Sequence, residues 1–152
     1  MKFGKSATTL LTGIVLTLGP AFSTTSVAHA DTDPVKNVNT GRCIDDSFAY
    51  GLRSFGCNGL SYQVWQKLPN STVTRWAIRN QNTGRCIDDS FAYGLRSFGC
   101  NGLNYQSWNI ISTSNGGQVL KNDNTGRCID DSFAYGLRSF GCNGLNYQIW
   151  LP

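Results

Sequence analysis

One segment of 27 residues occurs three times and dominates the chain. Residues 39–65 read NTGRCIDDSFAYGLRSFGCNGLSYQVW, and 82–108 and 124–150 repeat them. Only two of the 27 positions vary, Ser61/Asn104/Asn146 and Val64/Ser107/Ile149, and the copies start 43 and 42 residues apart. Self-similarity at a fixed period means a body assembled from one supersecondary unit, each burying its apolar side against the next. The intervening segments, 66–81 and 109–123, differ freely, yet each copy has an apolar residue four positions ahead of its first Asn: Val35, Ile78 and Leu120. The units run over about 31–66, 67–109 and 110–152.

Within a unit the pattern is that of short strands. In the second copy residues 75–79 alternate polar and apolar, as a half-buried strand does. Asn82-Thr83-Gly84 reads as a turn, 85–88 as a strand, 90–94 as a turn and 95–98 as a strand. Cys100-Asn101-Gly102 turns again, and 105–108 reads as a fourth strand. No stretch after residue 30 has a helical apolar period. Three units of four strands predict an all-β domain. A period near 42 also suits a propeller blade, but three blades are too few to close a ring, so a closed body with pseudo-three-fold symmetry is expected.

The first thirty residues read as a segment removed on export. Lys2 and Lys5 precede an apolar stretch over 10–22, and Ala28-His29-Ala30 has the small-x-small form of a signal-peptidase site. The apolar run is short for a membrane span and carries Gly and Pro. The expected protein is then one secreted domain, 31–152, read as a monomer with no membrane insertion. It has eleven basic residues against nine acidic ones, all Asp, a net charge of +2. No two Lys or Arg residues are adjacent, which argues against a nucleic-acid partner. Removing His29 removes the only histidine, and with it Ser-His-Asp catalysis, Cys-His catalysis and His-ligated metal sites. The chain has no Glu.

The Gln-x-Trp triplets Gln63-Val64-Trp65, Gln106-Ser107-Trp108 and Gln148-Ile149-Trp150, each after a Gly-Arg-Cys-Ile-Asp strand, resemble those of ricin-type β-trefoil lectins. The resemblance covers nearly all of 31–152 and is nearest to the actinohivin-like three-repeat lectins, which bind high-mannose glycans and lack the cysteines. It implies a β-trefoil with pseudo-three-fold symmetry. Six cysteines in an exported chain imply three disulfides. Six allow 15 connectivities. Three-fold repetition and the ricin-type bridge position both favour Cys43–Cys57, Cys86–Cys100 and Cys128–Cys142, three disulfide-closed repeats.

Alternation along the strands suggests a site. In copy two, Ile87 and Leu95 face the core, so Asp88, Arg96 and Phe98 share the opposite face, with the carboxylate expected to point outward. Asn101 and Tyr105 are expected at the rim. A carboxylate accepts charge-assisted hydrogen bonds from sugar hydroxyls, an amide donates and accepts, and a ring covers the C–H face of a pyranose. Ricin-type sites have an Asp at the position of Asp88 and an aromatic platform at that of Phe98. Actinohivin-like sites hold mannose with the Asp and Asn matching Asp88 and Asn101, beside the Tyr matching Tyr105. The expected carbohydrate-binding residues are therefore Asp45, Arg53, Phe55, Asn58 and Tyr62; Asp88, Arg96, Phe98, Asn101 and Tyr105; and Asp130, Arg138, Phe140, Asn143 and Tyr147. Gln63, Gln106 and Gln148 are expected to orient the Asp from behind. Arg96 replaces a tyrosine of the actinohivin-like pocket and a glutamine of the ricin-type pocket, a change toward acidic or sulfated sugars.

The same residues admit other readings. Trp65, Trp108 and Trp150 are core residues first. Asp46, Asp89 and Asp131 read as turn or capping residues. Phe48, Tyr50 and their copies fit either closure over the core or extension of the sugar platform. Neighbouring Asp45 and Asp46 point to opposite faces of a strand and cannot flank one glycosidic bond, so no enzyme is expected. No metal or other cofactor is expected. The expected function is a secreted trivalent lectin for branched glycans or polysaccharides, mannose-type among them; the alternative is a protein-binding trefoil such as a protease inhibitor or toxin-like effector.

Overall fold

A computed structural model describes residues 32–70 and 72–152; the expected export segment, 1–30, lies outside them. Every strand pairing is antiparallel. The first repeat contains β1 (Thr32–Pro34), β2 (Lys36–Asn37), β3 (Arg42–Ser47), β4 (Gly51–Gly56) and β5 (Val64–Asn70). The second contains β6 (Thr72–Asn80), β7 (Arg85–Ser90), β8 (Gly94–Gly99) and β9 (Trp108–Ser112). The third contains β10 (Gln118–Asn122), β11 (Arg127–Ser132), β12 (Gly136–Gly141) and β13 (Trp150–Leu151).

β1 and β2 act as one strand interrupted at Val35. β2 pairs with β13 and β1 with β5, which closes the ring β5–β6–β9–β10–β13–β2 into a barrel. The hairpins β3–β4, β7–β8 and β11–β12 cap one end, with β4, β8 and β12 meeting one another around the pseudo-three-fold axis. This is a β-trefoil, the all-β, pseudo-three-fold architecture expected from the repeats. The disulfides join Cys43 to Cys57, Cys86 to Cys100 and Cys128 to Cys142, each over a Cα separation of 5.1 Å. Closing a loop this short removes unfolded-state entropy worth about 3 kcal/mol per bridge.

The core lies between barrel and cap. Ile44, Ile87, Ile129, Trp65, Trp108 and Trp150 bury against Ile78 and Leu120, with Val35, Leu52, Leu95 and Leu137 around them. Each Trp Nε1 donates to a backbone carbonyl of its own repeat, that of Ile44, Ile87 or Ile129, at 2.9–3.0 Å. The indole is thereby buried without an unsatisfied donor. The fourth strand expected at 105–108 differs: 104–106 form a 3-10 turn, and strand begins at Trp108. The reason is Gln106, whose amide reaches back to Gly99 O (2.9 Å) and accepts the Asn101 N–H (2.8 Å), which an extended backbone would carry away.

The second Asp of each Asp-Asp pair is not a turn residue. Asp46, Asp89 and Asp131 are fully buried and clamp the next repeat. Asp46 accepts from Arg85 Nη2 (2.6 Å) and Nε (3.1 Å), Ser97 Oγ (2.6 Å) and Thr83 Oγ1. Asp89 holds Arg127, Ser139 and Thr125 in the same way, and Asp131 returns to Arg42, Ser54 and Thr40. The three clamps form a closed cycle. A second cycle accompanies it: Asn80, Asn122 and Asn37 donate to the Tyr62, Tyr105 and Tyr147 carbonyls of the preceding repeat. Each bridge therefore ties a repeat to itself, while the buried ion pairs tie it to its neighbours.

Candidate functional site

The β3–β4 register sets Asp45 directly opposite Arg53 and Cys43 opposite Phe55, so Asp45, Arg53 and Phe55 share one face of the hairpin. The other two hairpins repeat this with Asp88/Arg96 and Asp130/Arg138. Turn chemistry adds a second ring. Ser47 Oγ accepts the Tyr50 N–H at 3.1 Å and Gly51 follows with φ +68°, a conformation a side-chain-bearing residue adopts only with strain. The turn lays Tyr50 on one side of the Arg53 guanidinium (4.3 Å to the ring centroid) and Phe55 on the other (4.5 Å). The same sandwich holds Arg96 between Tyr93 and Phe98, and Arg138 between Tyr135 and Phe140.

The expected outward carboxylate is a correction. Asp45, Asp88 and Asp130 are only 1–2% exposed. Oδ1 of Asp45 accepts from Arg53 Nε at 3.0 Å, and Oδ2 faces Gln63 Nε2 at 3.4 Å. Strand parity placed the Asp on the proper face, but the neighbours on that face roof it over. Gln63 also donates to Gly56 O (2.9 Å) and accepts the Asn58 N–H (2.8 Å), so the Gln of Gln-x-Trp knits the floor while the Trp fills the core. Gln106 and Gln148 make the same bonds under Asp88 and Asp130.

In the third repeat Asp130, Ser132, Ala134, Tyr135, Arg138 and Tyr147 line a hollow of about 180 Å³. It gathers three of the five residues expected there. Phe140 lies on the far side of the guanidinium, 48% exposed. Asn143 is exposed on the neighbouring loop, its Oδ1 accepting the Leu145 N–H at 2.9 Å, and does not line the hollow. Ala134 and Ser132 were missed as lining residues, and Tyr135, left open in the sequence between closing over the core and extending the platform, lines the hollow. The signal for the tyrosine was its place three residues after a serine that can cap the turn, with an Arg three residues further on. Phe48, Phe91 and Phe133 lie over Arg85, Arg127 and Arg42 of the adjoining repeat at 5.0–5.1 Å, outside the hollow. What the hollow offers a ligand is the Tyr135 and Tyr147 side chains and the partly exposed Arg138 guanidinium; the carboxylate acts beneath, positioning the Arg.

The profile of the family described as "Ricin-type beta-trefoil lectin domain-like" matches residues 61–134, which contain one complete copy of the repeated segment. No match was found among curated protein sequences. Among solved structures, the designed three-fold symmetric protein ThreeFoil superposes with a TM-score of 0.69 at 16% identity, covering 77% of this chain and 94% of its own. A lectin of Polyporus squamosus, solved with a human-type influenza-binding epitope, gives 0.64 at 16% identity over 76% of this chain and 46% of its own. The Haemophilus ducreyi cytolethal distending toxin gives 0.64 at 18% identity over 78% and 81%. Three Gln-x-Trp repeats, three hairpins and the β-trefoil superpositions accompany that match, and over residues 61–134 this chain is similar to the ricin-type β-trefoil lectin-like family.

Proposed function

We propose that the protein is a secreted, monomeric, trivalent lectin for branched glycans or polysaccharides, mannose-type or otherwise, acting without catalysis, metal or nucleic acid. The observation that carries this reading is the triplicate arrangement of a buried Asp, a sandwiched Arg and flanking rings, reproduced to about 0.1 Å in its Arg–Asp distances. Three equivalent arrangements on one rigid body suit a ligand that itself repeats. Export is supported by the sequence of residues 1–30 and by three disulfides, which persist in oxidising compartments. A single shallow hollow of this size is expected to hold one sugar with a Kd of about 1 mM, near −4 kcal/mol. Simultaneous engagement of three adds avidity of order 10²–10⁴ where branches reach more than one hollow.

The test is a glycan array probed with the oxidised protein. Binding to multivalent glycans but weakly to their monosaccharides supports the reading, and an array with no bound glycan rejects it. The second reading, a protein-binding trefoil, is favoured by the structural likeness to the cytolethal distending toxin and by exposed Phe48, Phe91 and Phe133 on the hairpin tips. A protease-inhibition panel separates the two: inhibition at stoichiometric concentration supports the second reading, and its absence with glycan binding supports the first.

A further inference from the structure

Resting on the lectin reading of the hairpin hollows, we propose that their ligands are acidic glycans, bearing a uronate carboxylate or a sulfate ester, gripped by Arg53, Arg96 and Arg138. A neutral sugar diol is recognised above all by an exposed carboxylate, which accepts from two hydroxyls at once. Here both oxygens of Asp130 are engaged inside the protein, one by Arg138 Nε at 3.1 Å and the other facing Gln148 Nε2 at 3.3 Å, and the residue is 2% exposed. The charged group that reaches the hollow is the guanidinium, its side chain 34% exposed. A guanidinium donates and never accepts, so it selects acceptor oxygens.

The guanidinium is also pre-set for that task. Two rings at 4.4 and 4.5 Å confine its plane, and Asp130 fixes its Nε edge inward. Among the described residues its terminal nitrogens take no hydrogen-bond partner. They form the outward edge of a planar fork, which matches the two coplanar oxygens of a carboxylate or two oxygens of a sulfate. A carboxylate below and a half-exposed cation above make a dipole whose positive end points into the hollow, so an anion is attracted although the pair is formally neutral. The Tyr147 ring at the wall remains available for the C–H face of the sugar bearing the anion. The contacts within the Arg sandwich are the same in all three repeats, so three such positive ends stand on one body.

The test is retention of the oxidised protein on columns of polygalacturonate, dextran sulfate, mannan, dextran and poly-glutamate at about 0.15 M salt, where exposed charges beyond about 8 Å are screened. The expected result is retention on polygalacturonate or dextran sulfate, which also distinguishes carboxylate from sulfate, and passage through the other three. The triple variant R53K/R96K/R138K keeps the charge and removes the stacked fork, and is expected to weaken binding at least about tenfold. Retention on mannan or dextran instead of the acidic columns overturns the acidic assignment and leaves the lectin reading standing. Passage through every column, joined with an empty glycan array, overturns both. Equal retention on poly-glutamate, or by the lysine variant, reduces the effect to bulk charge and overturns the proposal.

Discussion

Replacing Asp46 by Asn should cost far more stability than its place at a hairpin end suggests. The wild-type carboxylate is fully buried and receives two guanidinium bonds from Arg85, at 2.6 and 3.1 Å, and hydroxyl bonds from Ser97 and Thr83. Asparagine keeps the volume but removes the charge and turns one acceptor into a donor facing donors. Breaking a buried pair from one side costs about 3–5 kcal/mol, because the surviving charge is left uncompensated. Arg85 retains its bond to Ser47 O at 2.9 Å, and its side chain is 24% exposed, so water relieves part of the cost. The lower end, about 3 kcal/mol, is the expected loss. For a domain of this length that is a fall in Tm of roughly 10–15 °C. Urea unfolding followed by fluorescence of Trp65, Trp108 and Trp150 measures it, and the cyclic arrangement requires the same loss for Asp89→Asn and Asp131→Asn. A loss under about 1 kcal/mol at all three sites would refute the claim that these clamps hold the repeats together.

Three further outcomes are expected. Ser107→Val should stabilise the protein by about 1 kcal/mol in the same urea assay, since the Ser107 hydroxyl is buried without a partner and Val64 and Ile149 stand at the matching positions; a loss of stability would show that the hydroxyl is satisfied. Gly94→Ala should cost about 1–2 kcal/mol through backbone strain alone, because φ is +68° and an added Cβ meets nothing within 4 Å; an unchanged midpoint would count against the left-handed turn. The pair Cys86→Ala and Cys100→Ala should lose about 3 kcal/mol relative to the oxidised protein, measured by thermal unfolding, while Cys43–Cys57 and Cys128–Cys142 persist in non-reducing peptide maps.

The repeat carried most of the architecture into view. Three near-identical units led to a closed all-β body with pseudo-three-fold symmetry and favoured self-closed disulfides, while the trefoil itself was what the resemblance of the Gln-x-Trp triplets implied. Strand parity correctly set Asp88, Arg96 and Phe98 on one face. Parity says which side a residue takes and nothing about depth, so the burial of Asp88 beneath Arg96 and beside Gln106 was not legible. The clamps were hidden for another reason. With identical copies, the spacing between Asp46 and Arg42 or Arg85 does not tell whether an aspartate grips its own repeat or the next, and only the packing of the hairpins about the axis decides. The segment 105–108 looked extended because Tyr and Trp favour strands. The side-chain bonds of Gln106 override that preference.

The clamp cycle also sets an order of assembly. Asp46 to Arg85 and Asp89 to Arg127 close over 39 and 38 residues, whereas Asp131 to Arg42 closes over 89. Loop-closure entropy makes that last junction dearer by about 0.7 kcal/mol before any contact rewards it. The oxidised hairpins can each form as local units, and the first two junctions can follow along the chain. The annulus is sealed only when its third segment meets its first, so loop entropy makes the seam between them the last of the three junctions to form.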